Sequence, residues 1–77
     1  MPPGASGIIR AQFLELGTEE LIQYLASQKL ALSEIIQQIF RTQMIDGEGL
    51  TGMNKEDLER NGVPAGVASK IMMRIPL

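Results

Sequence analysis

Residues 45–75 read IDGEGLTGMNKEDLERNGVPAGVASKIMMRI, and the fold turns on the short helix at their centre. Both ends of that helix are written into the sequence. Asn54 suits the N-cap, because its side-chain oxygen can accept from a free N–H of the first turn. Asp57, three residues on, can reach back as the acid of a capping box, although Glu or Gln is commoner there. Glu56 and Asp57 place negative charge at the positive end of the helix dipole. Gly62 supplies the stop, since glycine takes the left-handed conformation that closes a helix. With Gly62 at C′, Val63 is C″ and Leu58 is C3, two side chains that should touch. Pro64 cannot continue the helix but can lead into another. The reading is an elbow between two helices, with Leu58 and Val63 buried together beneath it.

Downstream, the last helix begins near Pro64 or Ala65. Val67, Ile71 and Ile75 repeat at i, i+4, i+8, with Ala68 and Met72 beside them, which predicts a buried stripe that anchors the fold and stops at Pro76. Upstream, residues 46–52 hold three glycines and form a turn around Leu50, with room for one short helical turn. Before it, Ser33 and Glu34 open a helix whose Ile35, Ile36, Ile39 and Phe40 fall on one side. Thr18 is the expected N-cap of an earlier helix, with Glu19 and Glu20 in its first turn and Leu21, Ile22, Tyr24 and Leu25 on its apolar face. Leu30 and Leu32 cross the connector. Phe13, Leu14 and Leu16 form a lead-in that covers the core. Residues 1–7, MPPGASG, read as a flexible tail or linker ahead of a domain spanning residues 8–77. The fold class is all-α: a small single-domain bundle of about five helices, two of them short.

In order and spacing, these features resemble the sterile alpha motif (SAM) domain family over residues 18–75. Ile45-Asp46-Gly47 stand for the family's turn, and Leu50 and Met53 for its spaced leucines. Asn54 replaces a capping Thr, followed by Glu56-Asp57-Leu58. Gly62-Val63 form the elbow, Pro64-Ala65-Gly66 match a family variant, and Lys70-Ile71-Met72 match its last helix. Tyr24-Leu25 sit where Trp-Leu is usual, and Phe40 keeps the family's spacing to Ile45. The chain departs at Asn61, the place of a usually buried Leu: either it caps the helix or that corner is more exposed than usual. It departs again at Val67-Ala68, where an Arg is frequent.

Composition narrows the function classes. The 77 residues make one domain, with 44% hydrophobic residues, an ordinary globular fraction. There is no Cys and no His, which removes disulfides, thiolate or imidazole nucleophiles and Cys/His zinc sites from this chain. No apolar run reaches the length of a membrane span, and an intracellular, cytoplasmic setting is the default expectation. The nine acids could be paired on paper as acid–base couples, but Glu56 and Asp57 serve a helix start and Asp46 a turn. Asp46-Gly47-Glu48 lacks the alternating ligands and distal Glu of a calcium loop. The sequence supplies no catalytic set, no cofactor or metal site and no small-molecule substrate site. Of the five methionines, Met53 and Met72 read as core filler, with Met44 or Met73 as the exposed candidates.

Charge is segregated. Residues 46–59 carry five acids against one Lys, whereas residues 60–77 carry Arg60, Lys70 and Arg74 and no acid. An acidic middle and a basic end could meet head-to-tail between two copies; two solvated faces of a monomer are the plainer alternative. The resemblance implies a protein–protein interaction module, typical of scaffold and signalling proteins, that oligomerises with itself or with another SAM-type domain. A mid-loop surface would use Asp46, Glu48, Glu56 and Glu59. An end-helix surface would use Ala65, Gly66, Val67, Lys70 and Arg74, with Val67 as an apolar knob if it is not buried. The rival class is RNA or other nucleic acid, which some relatives bind at the start of the last helix. A net charge of −2, with Lys70 alone clearly left at that site, disfavours it.

Overall fold

The elbow forms as its residues dictate. In the computed structural model, which describes residues 8–30 and 32–76, Asn54 Oδ1 accepts from the Asp57 N–H at 2.8 Å and Asp57 Oδ2 accepts from the Asn54 N–H at 3.0 Å, so the capping box is closed. Gly62 has φ +103°. The Val63 N–H reaches the Leu58 carbonyl at 3.1 Å and the Gly62 N–H reaches Glu59 at 3.0 Å, the two bonds of a Schellman ending. Leu58 is fully buried and Val63 nearly so. Asn61 takes the capping role: its Nδ2 donates to the Asp57 carbonyl at 2.8 Å.

Six helices and no strand are present among the described residues: α1 (Arg10–Leu14), α2 (Thr18–Ser27), α3 (Glu34–Thr42), α4 (Gly47–Thr51), α5 (Lys55–Arg60) and α6 (Ala65–Met72). The expected tail, residues 1–7, lies outside the described residues, as does Leu77. The sixth helix relative to the expectation is α1, the lead-in coiled into little more than one turn. Helices associate mainly in pairs, α1 on α4, α2 on α3 and α5 on α6. Phe13, Leu21, Leu25, Phe40, Leu50, Leu58, Ala68 and Ile71 are fully buried at the centre.

The lead-in is held from outside itself. Phe13 is buried and meets the Tyr24 ring edge-on at 5.6 Å between centroids. The Gly47 N–H donates to the Leu16 carbonyl at 2.9 Å, and a Cβ on Gly47 would collide with the Phe13 carbonyl oxygen. That position therefore needs glycine for close backbone approach, not for its dihedral freedom. The Arg10 guanidinium donates to the Pro76 carbonyl at 3.0 Å, joining the two ends of the described chain.

Local details differ from the sequence reading. Gly17, not Thr18, is the N-cap of α2. Its backbone is extended, and Glu20 Oε1 accepts from the Gly17 N–H at 2.8 Å, so the carboxylate half of a capping box suffices. Leu14 sits at the rim, partly exposed. Ile35 is 73% exposed while Ile36 and Phe40 are buried. At 100° per residue, Ile35 lies about 120° from the middle of the Ile36–Phe40 side, too far round to share it. In α6 the fully buried residues are Ala68 and Ile71, with Val67 and Met72 half-buried beside them, and Ile75, also half-buried, lies beyond the helix. The helix also closes at Met72, short of Pro76. A proline disfavours helical backbone in the residue before it, and the chain tightens through Arg74 N–H to Ile71 O and Ile75 N–H to Met72 O.

Candidate protein-interaction surfaces

The residues assigned to a mid-loop surface begin at α4. Asp46 is its N-cap, with Oδ1 accepting from the Gly49 N–H at 2.7 Å, so this carboxylate has a structural duty and is half-buried. Glu48, in the first turn of α4, is exposed. On α5, Glu59 pairs with Lys55 at 2.8 Å across one turn and Asp57 pairs with Arg60 at 2.9 Å. The hydrogen bond to Glu59 holds the Lys55 ammonium above its ordinary pKa. Glu56 is exposed at the start of α5. Of the four acids assigned to the mid-loop surface, Asp46, Glu48 and Glu56 form no ion pair among the described residues, and of these Asp46 is engaged as a cap.

The residues assigned to an end-helix surface lie on α6 and just beyond it. Pro64 precedes the helix and offers no side-chain cap. Ala65 and Gly66 are exposed, and a Cβ on Gly66 would meet nothing within 4 Å. Val67 is half-buried against the core, which leaves it only part of an apolar knob. Lys70 is exposed. Arg74 is half-buried, and its carbonyl accepts from the Tyr24 hydroxyl at 3.3 Å. Desolvation raises the Tyr24 pKa, with the Arg74 charge opposing it.

Two features escaped the sequence reading. One is the left-handed backbone of Met44, φ +55°, in the turn between α3 and α4; its exposure, 79%, is as expected. The other, an open groove of about 370 Å³, lies along α3 and reaches Asn61 at the elbow, lined by Ile35 and Ile39 together with Glu34, Gln38, Thr42 and Gln43. Its signal was present as Ile35, Gln38, Ile39 and Thr42, a second stripe at helical spacing.

Comparison with known families settles the lineage. A family model described as a SAM-like domain matches residues 8–76. The chain belongs to the SAM-like domain family. Membership points to protein partners in general and to an interaction module of a kind that is typically non-catalytic. Neither the comparison with curated proteins nor that with solved structures gave a match. No helix among the described residues is long and apolar enough to cross a membrane.

Proposed function

We propose that this SAM-like domain is an association module that joins the acidic mid-loop surface of one copy, or of a related domain, to the end-helix surface of another. The observation that carries the reading is the separation of exposed charge. Glu48 and Glu56 stand exposed and outside the ion pairs at the starts of α4 and α5, and Lys70 stands exposed on α6, where Gly66 is open. Asp46 and Glu59 frame the acidic side, while Ala65, Val67 and Arg74 complete the basic one. Such fields orient an encounter and depend on salt. Because the two surfaces differ, the contact is heterologous and builds chains unless its rotation closes a ring.

Gly66→Asp tests this directly. The open space at Gly66 accommodates the side chain, so the melting temperature should stay close to that of the parent while self-association disappears in sedimentation. An unchanged oligomer would exclude the end-helix surface. Nucleic-acid binding is the weaker reading, because most bases are already engaged: Arg41 with Glu19, Lys55 with Glu59, Arg60 with Asp57 and Arg10 with a carbonyl. An RNA hairpin titrated at low salt should give no saturable, salt-sensitive complex.

A further inference from the structure

The α3 groove is an apolar feature that neither the core nor the two charged stretches absorb. Ile35 is 73% exposed on its floor, beside the half-buried Ile39. Three carboxamides, Gln38, Gln43 and Asn61, are among its lining residues and can donate to and accept from an incoming backbone. Glu34 is its one ionised lining residue, and no base lines it. Glu34 and Gln43 stand about 13 Å apart along α3, and Gln43 leads through Met44 into Asp46 and Glu48. The groove is therefore an apolar slot with one acid, Glu34, in its lining, and beyond Gln43 the chain runs on to the acids of the mid-loop stretch. The same chain carries an exposed apolar side chain flanked by bases. Met73 is 74% exposed at the end of α6, bracketed by Lys70 and Arg74, and no acid follows Glu59.

We propose that the α3 groove seats Met73 of a second copy, with Glu34 and the Asp46–Glu48 end facing Arg74 and Lys70 of that copy. The inference rests on the association reading above and names the apolar seat that its charges surround. A methionine is suited to the role, since its flexible thioether adapts to an irregular slot. Charge alone would give a weak, salt-screened contact; an apolar anchor buried at its centre supplies the affinity. Head and tail are then different surfaces of one molecule, so the contact propagates.

The test is sedimentation velocity of the full chain over a wide concentration range, with methyl NMR of the same samples. The Ile35, Ile39 and Met73 methyl signals should move as the protein is concentrated. Ile35→Gln and Met73→Gln, both at exposed positions, should each weaken association roughly tenfold while leaving the melt unchanged. Glu34→Lys and Arg74→Glu should each weaken it, and the double exchange E34K/R74E should restore it. Should both glutamine variants associate like the parent, the groove proposal is overturned. Restoration by E48K/R74E but not by E34K/R74E would overturn the seat while leaving the mid-loop contact standing. A monomer at all concentrations would remove both.

Discussion

The elbow of residues 54–68 and the lead-in of residues 8–16 cover the same core, yet they are held in different ways. The elbow is specified by neighbours: every cap and stop lies within a few residues of the group it satisfies, from the Asn54–Asp57 box to the Gly62 ending. The lead-in is specified at a distance. Phe13 is placed by Tyr24, and the turn after it by Gly47, more than thirty residues downstream. Local specification can be read from a sequence in order. Distant specification shows only when the chain is closed on itself.

The largest effects should come from emptying the shared core from either side. Phe13→Ala should cost about 3–5 kcal/mol and Leu58→Ala about 2–5 kcal/mol, measured by urea unfolding. Hydrogen exchange separates the two regions. The lead-in variant should lose protection around α1 before the rest, whereas the elbow variant should loosen α5 and α6 together. A loss below about 1 kcal/mol for Leu58→Ala would place it outside the core.

Next in size is Gly47→Ala, expected to cost about 1–3 kcal/mol by pushing α1 off α4, with little change at the elbow. Gly62→Ala should cost about 1–2 kcal/mol for a different reason, a Cβ in left-handed backbone that also crowds Ile39. If the two variants proved interchangeable in their exchange patterns, the contrast between distant and local specification would fail.

The smallest effect is electrostatic. Arg41 grips Glu19 through two nitrogens at 2.7 and 3.1 Å, tying α3 to α2 at the surface. That hydrogen bond holds the Glu19 carboxyl below its ordinary pKa. A depressed carboxyl stabilises the fold above the unfolded glutamate pKa and loses that contribution as pH falls through the folded value. Glu19→Gln should therefore lower the melting temperature slightly at neutral pH and not at all in strong acid, an exposed pair being worth little.

Much of the fold was legible because its helices carry their own punctuation. Ser33 caps α3, Asp46 caps α4 and Asn54 caps α5, each a side chain whose partner lies three residues on. The coil of α1 was not legible, because its first turn has only Gln12 Oε1 returning to the Ile9 N–H at 3.3 Å and owes its place to Phe13. The end of α6 was misjudged for a related reason: an apolar repeat at 67, 71 and 75 says which residues share a side, not where backbone bonds stop. At the candidate surfaces, the sequence named the acids but not their state. Lys55 and Arg60 engage two of the α5 acids, and only folded coordinates distinguish these from Glu48 and Glu56. Ile35 was placed on the core side because adjacent isoleucines share a sequence window but not a helix face.

The central claim is that this SAM-like domain associates through unlike, oppositely charged surfaces. Sedimentation velocity from micromolar to millimolar protein, at low and at raised salt, tests it most directly. Species larger than a dimer should grow in as concentration rises and recede when salt is added. A single monomeric species at every concentration and both salts would contradict it.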